Sequence, residues 1–268
     1  MRSKMVGILF MLAASPVCAQ VSGGPSSSLG QVSPREHTPR ISSGPAPFQW
    51  GGNARIFESS NWSGYAVVGT GFTEARGSWT VPSVDCTANP NGAASFWVGL
   101  DGWDNDTVEQ TGTESQCNGN NLVSYAWYEF APKGGVTITS VPVSPGDNMS
   151  ASVVYDDPDF VVSITNLTTG ASYSTRSPFP PAQRASAEWI AESNGYTGLP
   201  DFNAVRFGQD FTQALGSNYA ADATTSGTIG AFGSRVQVSV LGSGKIDEAV
   251  PSFLSLDGTS FTVTYWKP

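Results

Sequence analysis

Short segments of alternating apolar and polar residues recur along the chain after about residue 54, and they limit the folds that it can adopt. Examples are NWSGYAVVG, SFWVGLDG, LVSYAWYEF, FVVSITNLTTG and SFTVTYW, which are rich in Val, Ile, Thr, Tyr and Trp. Gly, Pro, Asn and Asp separate these segments, and no convincing helical run interrupts them. Each segment can bury one face of a strand because successive side chains alternate between faces. The pattern predicts an all-β fold, either a sandwich or a barrel.

The first residues have the three-part layout of a secretory signal. Arg2 and Lys4 precede an apolar run, which is followed by small residues up to Ala19. The apolar run is too short to span a bilayer. We therefore expect residues 1–19 to be a signal peptide and the protein to be secreted.

Residues 20–54 are crowded with Gly, Pro and Ser and have almost no apolar periodicity. Such a stretch cannot bury enough apolar surface to offset its ordering entropy, so it predicts a linker or a removable prosegment. It contains His37, the single histidine of the chain. Arg35, Arg40 and Arg55 are expected to hold an acidic domain in check near neutral pH, an attraction that weakens as carboxylates become protonated. One domain of residues 55–268 remains.

The charge balance restricts the partners. The chain has 13 Lys and Arg against 22 Asp and Glu, a formal net charge of −9 and only 13% charged residues. Nucleic acids and anionic membrane surfaces require clustered basic residues, so neither is an expected partner. Neutral or basic partners such as proteins and peptides fit better, and we expect a monomer. A chain with so few charged residues loses few ion pairs when its carboxylates become protonated. Its composition is therefore compatible with an acidic environment.

The cysteines favour one disulfide. Cys18 leaves with the predicted signal peptide, so Cys86 and Cys117 remain in an oxidising compartment. A bond between them would add roughly 3 kcal/mol on the chain-entropy model. Two buried thiols are the alternative, and in either case a cysteine nucleophile is not expected.

Several catalytic classes are excluded by missing residues. Residues 55–268 contain no histidine, which excludes Ser-His-Asp and Cys-His catalysis and zinc sites built on imidazole. No G-x-S-x-G motif occurs, and neither does the Asp-Thr-Gly or Asp-Ser-Gly pair of an aspartic protease. Carboxylates, amides and hydroxyls remain for the chemistry, with no cofactor or metal expected.

The segment AEWIAE places two glutamates, Glu188 and Glu192, on one face of a predicted strand. At about 3.3 Å per residue their Cα atoms lie roughly 13 Å apart. This separation is too large for the two acids to share a proton as an aspartic dyad does. A catalytic Glu192 therefore needs a partner from another strand.

Five motifs in one order carry a family resemblance. SNWSGY, FWVGLDG, EQTGT, AWYEF and SAEWIAE together are similar to the glutamic peptidases, also called eqolisins. The resemblance extends from about Ser59 to the C-terminus. It implies a β-sandwich of two antiparallel sheets, of the concanavalin A or jelly-roll type. It also implies the activity of a secreted, acid-active endopeptidase with a catalytic glutamine and glutamate.

Carried over by motif, the resemblance implies Gln110 and Glu192 as the catalytic pair, with Glu188 a neighbour rather than the base. We further expect five residues to line or support the cleft, which are Trp62, Trp97, Asp101, Glu114 and Glu129. The sequence departs from the family at Glu114, where fungal members have Asp, and at Ala131, where they have an aromatic residue. Both changes bear on substrate preference more than on reaction class. The cysteine positions also differ from the family pattern.

Two other functions remain open from the residues alone. A glycoside hydrolase on a β-sandwich would use Glu192 with Glu129 or Asp101 and stack sugars on tryptophans. The sandwich glycosidases carry their acids at i and i+2 of one strand, whereas this chain has them at i and i+4. A non-catalytic carbohydrate-binding module would need only exposed aromatic residues.

Overall fold

The computed structural model describes residues 37–45, 54–194, 197–208, 218–243 and 246–266. The predicted signal peptide and most of the predicted prosegment lie outside these ranges. The strands are β1 (Ser42–Pro45), β2 (Arg55–Ser59), β3 (Trp62–Val68), β4 (Glu74–Thr80), β5 (Ala93–Leu100), β6 (Val108–Asn118), β7 (Asn121–Ala131), β8 (Lys133–Pro142), β9 (Asn148–Asp156), β10 (Asp159–Asn166), β11 (Ser172–Pro178), β12 (Ser186–Ser193), β13 (Ala204–Phe207), β14 (Tyr219–Ala221), β15 (Ser226–Thr228), β16 (Val236–Ser243), β17 (Ile246–Pro251) and β18 (Phe261–Tyr265). A 3₁₀ helix spans Ile229–Arg235.

Nine strands form the first layer, which we call the site sheet. Their order is β1, β2, β16, β3, β12, β5, β6, β7 and β8. All neighbouring pairs are antiparallel except β2 with β16, which is parallel. The strand that carries the two glutamates, β12, lies at the centre of this sheet between β3 and β5.

The second layer has the order β17, β18, β13, β4, β9, β10 and β11, with the β14–β15 hairpin also paired to β4. β17 also pairs with the end of β16, so the two layers are joined along one side. The predicted all-β sandwich is confirmed. Several of the short sequence segments lie in longer strands of the structure. These strands pair with their neighbours in antiparallel meanders.

The hydrophobic core lies between the two layers and contains the side chains from one face of each central strand. On β12, Ala187, Trp189 and Ala191 belong to the core cluster. Trp189 crosses to the second layer, where its indole Nε1 donates a hydrogen bond to the backbone carbonyl of Arg76 at 2.6 Å. The opposite face of β12 presents Glu188, Ile190 and Glu192, as strand alternation predicts.

The predicted disulfide is confirmed. Cys86 and Cys117 are bonded with a Cα–Cα distance of 5.5 Å and a sequence separation of 31. The bond connects the loop after β4 to the end of β6, the strand that carries Gln110. No helix in the described ranges is long and apolar enough to cross a membrane.

Candidate active site

The registers of five neighbouring strands decide which side chains meet on the outer face of the site sheet. Residues directly opposite each other in antiparallel strands project to the same face. Three such rows cross β3, β12, β5, β6 and β7. They are Trp62, Glu192, Ser95, Glu114 and Tyr125; Gly64, Ile190, Trp97, Gly112 and Trp127; and Ala66, Glu188, Gly99, Gln110 and Glu129. The structure therefore brings the predicted residues Trp62, Trp97, Gln110, Glu114, Glu129 and Glu192 onto one face.

Glu192 is almost fully buried, and its carboxylate is held by an indole. Trp97 Nε1 donates a hydrogen bond to Glu192 Oε2 at 2.9 Å. The Trp97 ring in turn packs edge-on against Trp62, with 4.8 Å between ring centroids. Gly112 lies opposite Trp97 on β6, where an added Cβ would come within 2.5 Å of Trp97 Cβ. The glycine of the EQTGT motif is thus required by the close approach of Trp97.

Gln110 is fully buried, and its carboxamide is oriented by a carboxylate. Its Nε2 donates a hydrogen bond to Glu129 Oε2 at 2.8 Å. Its Oε1 has no hydrogen-bond partner among the described residues. Leaving such a buried polar atom unpaired typically costs about 1–3 kcal/mol, so its retention points to a role in binding a water or a substrate.

His37 lies inside the site. Its ring stacks on Trp127 with 3.7 Å between centroids and an interplanar angle of 9°. Its Nδ1 is 3.0 Å from Glu192 Oε2, and its Nε2 is 3.6 Å from Glu114 Oε2. Burial lowers the pKa of His37, but the hydrogen bond and charge of Glu192 and the charges of Glu114 and Glu129 outweigh it, so the pKa is raised.

The backbone after His37 covers the remaining part of Glu192. The Thr38 amide donates a hydrogen bond to Glu192 Oε1 at 3.3 Å. Trp62 Nε1 and the Asn61 side-chain amide both donate to the Thr38 carbonyl, at 3.1 and 3.3 Å. The NWSG motif therefore holds this segment directly beside the glutamate.

Sequence reasoning missed the position of His37 because no local pattern predicts a contact between residues 155 positions apart. Its surroundings in the sequence are polar and rich in proline, which indicates a linker. The strong anionic character of the predicted cleft was the only signal that a cation would be accepted there.

Asp101 lies at the end of β5 and contacts the loop before β12. Its carboxylate accepts backbone N–H groups from Gln183, Arg184 and Ala185 at 2.8, 2.7 and 2.7 Å. It also accepts the side-chain amide of Asn105 at 2.9 Å. These contacts fix the loop that leads into β12, so Asp101 supports the glutamate strand rather than lining the cleft.

Two further acids are buried near Asp101. Burial and the charge of Asp101 raise the pKa of Glu109 well above its ordinary value. Burial likewise raises the pKa of Glu188, and the charges of Asp101 and Glu109 add to the rise, although a hydrogen bond from Ser186 opposes it. Both carboxyls are therefore neutral over a wide pH range.

The restraint expected from Arg35, Arg40 and Arg55 stays a prediction. Arg40 contacts Asp104 on the exposed rim, with 3.1 Å between its NH2 and Oδ1, and its guanidinium lies 4.2 Å from the Trp103 ring centroid. Arg35 lies outside the described residues. The basic side chain that the described residues place beside Glu192 and Glu114 is that of His37, which lies in the predicted prosegment.

Comparison with known proteins identifies the family of the chain. A family model described as the peptidase A4 family matches residues 60–246. Aspergillopepsin-2 of Aspergillus niger is 29% identical over 239 residues, which cover 77% of this chain and 78% of that protein.

Two solved structures share the fold over most of their length. A crystal structure of scytalido-glutamic peptidase with a transition state analog inhibitor has a TM-score of 0.64 and 25% identity, covering 77% of this chain and 98% of that one. The crystal structure of aspergilloglutamic peptidase from Aspergillus niger has a TM-score of 0.53 and 26% identity, covering 65% and 99%. These similarities favour peptide hydrolysis over the two carbohydrate-directed alternatives. Both of these solved structures are of glutamic peptidases. The chain belongs to the peptidase A4 family and is a peptide-bond hydrolase.

Proposed function

We propose that the protein is a secreted, acid-active endopeptidase in which Glu192 is the general base and Gln110 stabilises the oxyanion. The observation that carries the proposal is that Glu192, held by Trp97, and the hydrogen-bonded Gln110–Glu129 pair lie on the same outer face of neighbouring strands. The three-part layout of residues 1–19 supports secretion.

In the first step Glu192 removes a proton from a bound water, and the water oxygen bonds to the scissile carbonyl carbon. Trp97 Nε1 fixes one carboxylate oxygen of Glu192. The Gln110 amide has two N–H groups, and Glu129 occupies one of them. The second is available to donate to the oxyanion of the tetrahedral intermediate.

In the second step the intermediate collapses. The C–N bond breaks, and Glu192 returns its proton to the leaving amine, so the products are a carboxylic acid and an amine. No covalent enzyme intermediate is needed. Gln110 suits this chemistry in acid because a carboxamide donates hydrogen bonds at any pH and carries no charge to be lost.

Protein or peptide substrates fit the aromatic lining of the site. Trp62 and Trp127 flank the acids on either side, and flat apolar rings bind side chains without requiring charge. The related scytalido-glutamic peptidase was solved with a transition state analog inhibitor, as its description states. Its shared fold supports a peptide-binding cleft in the same sheet face.

A pH–rate profile on an unfolded protein substrate tests this proposal. We expect cleavage to peak below neutral pH and to disappear toward pH 7, and we expect no change when a metal chelator is added. Release of reducing sugar from polysaccharide, assayed in parallel, should remain at background. A neutral optimum, inhibition by the chelator or sugar release without proteolysis would contradict the proposal.

A further inference from the structure

We propose that Phe57, Trp103 and Asp104 form a subsite for an arginine side chain of the substrate, beside the outer face of the site sheet. The inference rests on the peptidase function proposed above and adds a substrate preference to it. In this structure the side chain of Arg40 lies in that place. We call Phe57, Trp103 and Asp104 the arginine pocket.

Two aromatic rings form the walls of the arginine pocket. The rings of Phe57 and Trp103 meet edge to face, with 5.6 Å between their centroids and an interplanar angle of 84°. The Arg40 guanidinium carbon lies 4.2 Å from the Trp103 ring centroid and 5.4 Å from that of Phe57. The Arg40 side chain is only 5% exposed, so little water reaches it. A cation over an aromatic face is attracted by the ring quadrupole, and the attraction is stronger where water is excluded.

Two oxygen acceptors complete the pocket and match the hydrogen-bonding pattern of a guanidinium. Arg40 Nε donates to the Trp103 carbonyl at 3.1 Å, and Nη2 donates to Asp104 Oδ1 at 3.1 Å. A guanidinium offers these donors in one rigid plane, whereas the lysine ammonium is a compact point charge on a flexible stem. The pocket therefore favours arginine over lysine.

A backbone contact accompanies the side-chain contacts. The Arg40 amide donates a hydrogen bond to the Gly102 carbonyl at 3.0 Å. Any residue except proline has this donor, so a substrate arginine in the same place would be held by both its main chain and its side chain. A Cβ added to Gly102 would come within 2.9 Å of the Trp62 ring, and Trp62 lies directly opposite Glu192. The pocket therefore adjoins the proposed catalytic residues.

The loop between β5 and β6 is fixed by its own hydrogen bonds and not by Arg40. Asn105 Oδ1 accepts the Gly102 amide at 3.0 Å and the Thr107 amide at 3.2 Å. The Asn105 side-chain amide donates to Asp101 Oδ1 at 2.9 Å. A loop that is already ordered can bind an incoming side chain at a low entropic cost.

The separation from Glu192 sets the position of the arginine in a substrate. The Thr38 amide donates a hydrogen bond to Glu192 Oε1, and Arg40 lies two residues further along the chain. Two residues of extended chain span about 7 Å. A substrate that runs in the direction of residues 38–40 would have its arginine two or three residues C-terminal to the scissile bond.

Cleavage of matched peptides by the full chain at acid pH tests this preference. A peptide with arginine at the second or third residue after the scissile bond should have a kcat/KM about 10-fold higher than the same peptide with citrulline, which is similar in shape but uncharged. Lysine at that position should give a smaller gain. Asp104→Asn should remove most of the advantage of arginine, because the acceptor loses its charge.

Asp106→Asn is the matched control, because it removes an equal charge from an exposed side chain of the same loop. It should keep the wild-type preference for arginine. Equal kcat/KM values for the arginine and citrulline peptides in the wild type overturn the inference. An equal loss of preference in the Asp104 and Asp106 variants overturns it as well, since the effect would then be one of general charge.

A binding measurement separates this inference from the proposed function. In the full chain with both Glu192→Gln and Arg40→Ala, the proposed base is absent and no side chain from residue 40 fills the pocket. Calorimetry should then show that the arginine peptide binds about 10-fold more tightly than the citrulline peptide. Equal affinities overturn the arginine pocket. A wild-type chain that cleaves neither peptide would instead contradict the proposed function, and the calorimetry would still decide whether the pocket binds arginine.

Discussion

In the pair of Gln110 and Glu129, the ionisable carboxyl group of Glu129 orients the neutral carboxamide of Gln110. Glu129 Oε2 receives one N–H of Gln110 at 2.8 Å, and the strand register places the two residues directly opposite each other. The remaining N–H and the unpaired Oε1 of the carboxamide can then point only into the site. A single fixed rotamer is what a preorganised oxyanion donor requires.

Gln110→Ala should reduce kcat by about 10²–10³ while changing KM much less, because the lost hydrogen bond forms mainly in the transition state. Gln183→Ala is the control, since its side chain is exposed on the loop before β12. Steady-state kinetics on a peptide substrate at acid pH give both constants. A large rise in KM with an unchanged kcat would show that Gln110 serves binding alone.

At the scale of the elements, the sequence predicted the strand that carries the glutamates well. The alternation in AEWIAE correctly assigned Glu188, Ile190 and Glu192 to one face and Trp189 to the other. The pairing of β12 with β3 and β5 could not be predicted from it, because register depends on residues far away in the chain. For the same reason the separate tasks of Asp101 and Glu129 became visible only in three dimensions.

The packing of β6 against its neighbouring strands requires particular residue types, and in the sequence these residues form a motif. Its Gln110, Gly112 and Glu114 alternate along the face that meets β5 and β7. Gly112 leaves space for Trp97, and Trp97 in turn holds Glu192. The glycine of the Gln-Thr-Gly motif is thus a packing requirement, and it connects β6 to the contact that holds the proposed base. Residues 37–41, which lie beside Glu192, had no comparable pattern, since their contacts use mostly backbone groups.

At the scale of the whole molecule, buried acids connect stability to pH. Glu109 and Glu188 have raised pKa values in the folded protein, so the folded state binds more protons than the unfolded chain once the pH exceeds the ordinary glutamate value of about 4.3. Their contribution to stability is fully present below that value and is lost as the pH rises through the raised pKa values. The slope is about 1.4 kcal/mol per pH unit for each proton.

The free energy of unfolding should therefore fall as the pH is raised from about 4.5 toward neutral. Glu188→Gln removes one titrating group and should make this fall less steep. Urea unfolding at a series of pH values measures the slope, and Glu248→Gln, on a half-buried position of β17, is a suitable control. Identical slopes for the wild type and Glu188→Gln would contradict the assignment.

The central claim is that Glu192, and not Glu188, is the base. The most direct measurement compares kcat/KM of Glu192→Gln and Glu188→Gln on one unfolded protein substrate at acid pH, after thermal unfolding has shown that both variants are folded. Glu192→Gln should lose about 10²–10⁴ in rate, as expected for removal of a general base. Glu188→Gln should stay within a few-fold of wild type, because it exchanges one buried neutral group for another. An inactive Glu188→Gln beside an active Glu192→Gln would contradict the account.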